Sequence, residues 1–311
     1  MTLTELKYIV AVARERHFGK AAEACFVSQP TLSVAIKKLE EELELKLFER
    51  NASEVAVTPL GDDIVRQAQV VLEQAAAIKE IAKRGKDPLA GPLRLGVIYT
   101  IGPYLLPDLV RQVIERTPQM PLMLQENLTA KLLEQLRLGD IDCAILAEPF
   151  PDTNLAIAPL YDEPFVAAVP VGHPLAQNQT VTAEALRQET MLLLGNGHCF
   201  RDHVLEVCPE FARFSNDAEG IRKSFEGSSL ETIKHMVAAG MGVTLVPRLS
   251  VPPAETAGDK AFVRYIPFDG DPPTRRVVLA WRRSFTRYEA IAALRNAVYA
   301  CALPGVKRLS A

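Results

Sequence analysis

The stretch from His17 to Arg50, HFGKAAEACFVSQPTLSVAIKKLEEELELKLFER, constrains the fold more than any other part of this 311-residue chain. It predicts two helices joined by a tight turn. The first runs from about Gly19 to Cys25, and its small residues Ala21, Ala22 and Cys25 share a face that lets a second helix approach closely. Phe26, Val27 and Ser28 form the turn. Ser28 suits an N-cap, and Pro30 falls in the first helical turn, where a missing N–H costs nothing. Along the second helix Leu32, Ile36, Leu39 and Leu43 recur at helical spacing as one buried stripe. Gln29, Thr31, Ser33, Val34, Lys37 and Lys38 lie off that stripe. Amides and hydroxyls can bond base edges or phosphates and lysines meet the backbone, which is what a recognition helix in the major groove needs. On physics alone, an αα-hairpin with a merely solvated polar face is the alternative.

The segment resembles the N-terminal winged helix-turn-helix of LysR-type transcriptional regulators. The resemblance is carried by Phe18, Ala21, Ala22, Ser28, Gln29, Pro30, Thr31, Leu32, Ser33, Ile36, Leu39, Glu40, Leu43, Leu47, Phe48, Arg50 and Thr58-Pro59. It implies that Ser28, Gln29, Pro30, Thr31, Ser33, Lys37, Lys38 and Arg50 face double-stranded promoter DNA. Two departures stand out. Glu44 occupies the place where the family ends this helix with Gly, which adopts the left-handed conformation cheaply. The wing, Arg50 to Val55, lacks the basic residues often found there. Residues 1–60 hold eight Lys+Arg against nine Glu, so non-specific affinity should rest on a few placed charges rather than a broad field.

The length allows two or three domains, each with its own core. Hydrophobic content of 48% and a net charge of -3 describe an ordinary soluble protein. Neither a signal-peptide layout nor an apolar run of the ~18 residues a membrane span requires is evident, so the expected location is cytoplasmic, with no membrane partner. Five cysteines in that setting are not a disulfide framework. Cys25, Cys143 and Cys301 read as small buried residues. No CxxC-type spacing appears, so neither a metal site nor a cofactor is expected.

Thr58-Pro59 opens a further helix, with Thr58 as N-cap and Asp62 and Asp63 near its positive end. Ile64, Ala68, Val71, Ala75, Ile78 and Ala82 then recur in alternating steps of four and three, a heptad seam that wants a partner helix. After the Asp87-Pro88 and Gly91-Pro92 breaks, strand and helix alternate: strands 93–98, 122–126 and 143–146, helices 104–117 and 130–138. That order predicts a parallel α/β sheet. A second unit holds strands 165–169, 191–194 and 243–246, with helices at 183–188 and 229–239 and a cysteine-bearing helix between them. Strands 263–268 and 277–282 and a helix from 287 to 300 complete the chain. The resemblance implies a two-lobed, periplasmic-binding-protein-like (type 2) effector domain. The expected boundaries are 1–58 for the DNA-binding domain, 59–87 for the linker helix, 88–161 with 268–311 for lobe I, and 162–267 for lobe II.

Lobe II carries Gly195-Asn196-Gly197-His198-Cys199-Phe200-Arg201-Asp202, with Cys208 nine residues after Cys199. His198 as a possible cation, a helix N-terminus and Arg201 are three ways to stabilise a thiolate, so a Cys199 pKa below the free value is expected. A thiolate attacking a peroxide O–O bond gives a sulfenic acid, with which Cys208 is placed to condense. GPLRLGVIYTIGPYLLP (91–107), GDIDCAILA, DEPF (162–165), GHCFRD (197–202), SSLETIKHMVAAGMGVTLVP (228–247) and VPP (251–253) resemble the peroxide-sensing branch of the family. The resemblance implies a peroxidatic Cys199, a resolving Cys208, and Thr100, Thr129 and His198 around the peroxide. It also implies an arginine that favours the thiolate, either Arg275 or Arg276.

Local alternatives stay open at this point. Thr100 and Thr129 suit turns or caps, His198 can be neutral and structural, and Arg201 can simply pair with Asp202. Three functions compete: a peroxide-responsive DNA-binding regulator of antioxidant genes, a regulator gated by a small organic effector between the lobes, and a thiol peroxidase. The last lacks a thioredoxin-like pattern, and no other enzyme motif is present, so a non-enzyme is expected. The implied partners are promoter DNA, a second copy through the linker helix, a homotetramer beyond that, hydrogen peroxide as effector, and RNA polymerase.

Overall fold

The computed structural model describes residues 1–50, 55–83, 89–151, 154–209, 226–227, 229–253 and 262–309, without the side chains of Arg50, 79–83 and 226–227. The wing tip 51–54, the breaks at Gly85 and Asp87-Pro88, and Ser228 lie outside the described residues. Among those described, no helix is long and apolar enough to cross a membrane.

Helix α1 (Leu3–Glu15) starts at a capping box in which Thr2 and Glu5 satisfy each other's backbone N–H groups. Helix α2 (Phe18–Ala24) begins one residue before the sequence expectation, because Phe18 is buried and His17 Nδ1 accepts the N–H groups of Gly19 and Lys20. Helix α3 (Gln29–Glu42) is capped by Ser28, whose Oγ accepts from Thr31 N–H. Leu32, Ile36 and Leu39 close on Ala21, Ala22, Ile9 and Val12, as the stripe predicted. Strands β1 (Phe48–Arg50) and β2 (Val55–Val57) pair antiparallel as the wing. Buried Glu40 ties the wing to α3: its carboxylate accepts from Leu47 N–H at 2.9 Å and from Lys46 Nζ at 2.9 Å.

Helix α4 (Pro59–Lys83) is capped by Thr58, whose Oγ1 accepts from Gly61 N–H at 2.9 Å. The predicted seam divides here. Ile64 and Ala68 pack, with Val65, into the N-terminal core, since α4 lies against α1. Val71 and Ile78 stay exposed, joined by Leu60 at the start of the helix. A continuous intermolecular seam is therefore corrected to an outward row of Leu60, Val71 and Ile78; its early members are consumed within the protomer.

In lobe I, β3 (Leu93–Ile98) pairs in parallel with β4 (Leu122–Asn127) and β5 (Cys143–Ala147). The remainder is antiparallel: β11 (Thr274–Arg282) runs against both β5 and β6 (Leu155–Pro170). The sheet is mixed rather than parallel because two crossing strands, not βα units, join the lobes. Residues 155–164 of β6 pair with β11. From Phe165 onward β6 pairs with β9 (Thr244–Pro247) and β10 (Val263–Pro267) of lobe II. Asp162 and Glu163 thus sit in the lobe I ladder opposite Arg276 and Arg275, whereas Phe268 belongs to the lobe II core. Helices α5 (Gly102–Arg116) and α6 (Thr129–Leu138) cover lobe I. Lobe II carries α7 (Ala183–Leu186), α8 (Cys199–Val207) and α9 (Leu230–Ala238), and α10 (Tyr288–Ala300) returns to the lobe I core.

Candidate functional site

Three chain segments from different elements converge on Cys199. It is the first residue of α8, after His198 at the N-cap, so helix N–H groups are directed at its end of the helix. Thr129 is the first residue of α6, and Thr100 lies in the turn between β3 and α5. Strand β11 enters with Arg275, only 2% exposed. Its Nη1 donates to Thr100 Oγ1 at 2.7 Å and its Nη2 to the Thr100 carbonyl at 2.9 Å. Glu163 of β6, fully buried, takes the other side of the guanidinium at 2.8 and 2.9 Å, and its second oxygen accepts from Leu249 N–H at 2.8 Å. The Phe200 ring lies 5.3 Å from the guanidinium carbon. Arg275 is therefore fixed on all sides.

Strand alternation settles the arginine pair. Arg276 points to the opposite face, where it is about half exposed and bonds Asp162 at 2.8 and 3.1 Å. Of the two expected arginines, Arg275 is the one whose charge acts on the Cys199 thiol, and Arg276 is held in a surface ion pair.

The electrostatics also revise the expected thiolate. Burial pushes the Cys199 thiol up from its ordinary value, and the Thr129 hydroxyl and the Arg275 charge only partly oppose it. Burial likewise lowers the His198 imidazole, so it is neutral near pH 7 and supplies no cation; its ring lies 5.9 Å from Tyr99. Arg201 turns away to donate to the Leu194 carbonyl at 3.0 Å, tying α8 to β7 (Leu193–Leu194). Burial in this site therefore favours the thiol over the thiolate. Among the described residues Thr129 Oγ1 is buried without a hydrogen-bond partner of ordinary geometry, although the hydroxyl is close enough to the sulfur to favour its anion.

Cys208, at the other end of α8, is fully buried in the lobe II core with Phe200 and Val204. Cys199 instead packs against the lobe I core. The two thiols belong to different cores, and neither is in a disulfide. Sequence reasoning missed Glu163, Leu249 and His203. Glu163 stood inside DEPF with nothing local to mark it, and His203, whose Nε2 donates to the Glu148 carbonyl at 2.8 Å, reads as an ordinary helix residue.

The DNA-facing candidates are gathered on one side of the N-terminal domain. Ser28, Gln29, Pro30, Thr31, Lys37 and Lys38 are exposed and Ser33 is half-buried, all on α3 or its cap. Lys37 pairs loosely with Glu41 at 3.7 Å. The backbone of Arg50 lies at the end of β1, while its side chain is outside the described residues. Among the described residues no group of three or more His, Cys, Asp or Glu is arranged to hold a metal ion.

Residues 3–62 match the bacterial regulatory helix-turn-helix protein model of the lysR family, and residues 86–300 match the LysR substrate binding domain. The DNA-binding transcriptional dual regulator OxyR of Escherichia coli is 40% identical over 295 residues, 94% of each chain. Among solved structures, full-length OxyR C199D from Pseudomonas aeruginosa is 48% identical with a TM-score of 0.78, covering 97% of this chain and 99% of that one. A peroxide-bound cysteine variant of Corynebacterium glutamicum OxyR is 34% identical with a TM-score of 0.63, covering 96% of this chain and 91% of that one. With both of its halves matched and relatives of this identity along nearly its full length, the chain belongs to the LysR family, among the OxyR regulators.

Proposed function

We propose that the protein is a hydrogen-peroxide-sensing, DNA-binding transcriptional regulator whose sensor is Cys199 and whose resolving thiol is Cys208. The observation that carries this reading is the buried thiol held among Thr129, Thr100 and Arg275 between two lobes. The peroxide-bound state of the C. glutamicum relative supports it. The Cys199 sulfur attacks one peroxide oxygen and the O–O bond breaks. The departing hydroxide takes the proton given up by the thiol and leaves as water, and a sulfenic acid remains. The Thr129 hydroxyl is placed to donate to the sulfur or to the leaving oxygen. Thr100 Oγ1 accepts from Arg275, so its own proton is free to donate into the pocket.

Sulfenic acid and Cys208 thiol then condense, releasing a second water. Nine helical steps of about 1.5 Å hold the two Cα atoms about 13 Å apart, whereas a disulfide needs about 4.4–6.8 Å. Closure therefore unwinds α8 and withdraws at least one cysteine from its core. This remodelling of lobe II is the signal that reaches the DNA-binding domains. Two copies join through the outward row of α4. A second contact is supported by Ile114, Met123 and Leu124, exposed on α5 and on β4 at the edge of the sheet, giving a tetramer.

The test compares peroxide-dependent thiol loss in the full-length protein and in Cys199→Ser. Wild type should lose two thiols per chain at stoichiometric peroxide and Cys199→Ser none; equal loss in both would refute the assignment.

A further inference from the structure

Two parallel lines of side chains run along the outward surface of α3. Gln29, Ser33 and Lys37, spaced four apart, form one; Pro30, Val34 and Lys38 form the other. The first is polar throughout. The second has Val34 at its centre, 69% exposed. Val34 packs into no core: the N-terminal cluster takes Ala35 from this turn and Ile36 beside it. A branched apolar side chain at an exposed helical position has lower helix propensity than a straight-chain residue and buries nothing in return. Its neighbours are all groups suited to DNA, with Lys37 and Lys38 one turn on to engage phosphates and fix the register. In the major groove the apolar feature of a base-pair edge is the C5-methyl of thymine.

We infer that Val34, with Pro30 on the preceding turn, packs on a thymine methyl group in each half-site. Part of the sequence specificity of this protein is then an apolar reading of a T·A pair rather than a hydrogen-bonded one. The inference rests on the DNA-binding reading, and the experiment separates the two. The full-length reduced protein is used to select a duplex from a random library. Each thymine of that duplex is then replaced in turn by deoxyuridine, which removes only the methyl group. Wild type should lose about fourfold in affinity at one or two positions per half-site, the worth of burying one methyl group. Val34→Ser should bind the thymine duplex about that much more weakly and show no further penalty for uracil at those positions. A flat uracil scan with wild type, or a uracil penalty that survives in Val34→Ser, overturns the inference while leaving DNA binding intact. If no duplex is enriched at all, the DNA-binding reading itself fails, and this inference with it.

Discussion

Among the described residues four that are not glycine, Arg16, Phe26, Glu44 and Asn154, have left-handed backbone, and two of them flank the recognition helix. Glu44 sits at φ 54° just beyond the end of α3, the place where Gly would be free of strain. Phe26, 96% exposed, sits at φ 57° in the turn before the recognition helix. Left-handed geometry costs an L-residue about 1–2 kcal/mol. Glu44→Gly should therefore raise the stability of the N-terminal domain by up to about 1 kcal/mol, after the entropy Gly brings to the unfolded chain. Thermal unfolding of the two proteins reads this directly, and a lower melting temperature for Glu44→Gly would contradict the strain argument. The Cys199 thiol yields a second expectation. Burial raises its pKa above the ordinary value of about 8.5, so the thiolate fraction at neutral pH is small and grows as the pH rises. The second-order rate with peroxide should climb about tenfold per unit across pH 6–8. A plateau below pH 7 would mean that Cys199 rests as an anion. Thr129→Val should slow oxidation at every pH while leaving DNA binding by the reduced protein unchanged.

In the proposed mechanism the switch turns on helix α8. Its first residue packs on lobe I, while Phe200, Val204 and Cys208 belong to the lobe II core. Its length alone forbids the disulfide without unwinding. Amide hydrogen exchange across 199–209 should be slow before stoichiometric peroxide and fast afterwards. Equal protection in both states, with a Cys199–Cys208 bond verified by mass spectrometry, would defeat remodelling. Cys208→Ser should form sulfenic acid on Cys199 yet keep α8 protected, since the bond that pulls the helix apart never forms.

Across the full chain, two rigid elements span the distance from the sensor to the linker. Helix α6 begins at Thr129 and carries Arg137 near its other end, ion-paired to Asp62 of α4. Strand β11 begins beside Arg275 and ends at Arg282, ion-paired to Glu73 of α4 and bonded to the Ile141 carbonyl at 2.7 Å. Ser284 Oγ donates to the same Glu73 at 2.6 Å. Through these contacts a displacement of either element at the pocket would reach α4. Glu73→Ala should leave the rate of Cys199 oxidation unchanged and reduce the difference between reduced and oxidised DNA footprints. A full redox-dependent footprint in that variant would remove this route.

The helix-turn-helix was readable along the chain because its determinants are local: a stripe at helical spacing, a Ser N-cap, a Pro in the first turn. The same holds for α4 and its Thr58 cap, for β3 through β5, and for the cysteine pair nine residues apart on one helix. Other features depend on residues far apart in sequence. Residues 155–164 escaped notice as strand because their partner, β11, lies more than a hundred residues away. The seam of α4 divided because α1, fifty residues earlier, claimed Ile64 and Ala68. Which arginine meets the thiol followed from the facing of β11, and Glu163 entered the site only through the register that sets it opposite Arg275. The direction of the Cys199 shift was likewise beyond local reading. A neighbouring His and a helix N-terminus favour the anion, but desolvation depends on how two lobes close around the sulfur, and only folding fixes that burial.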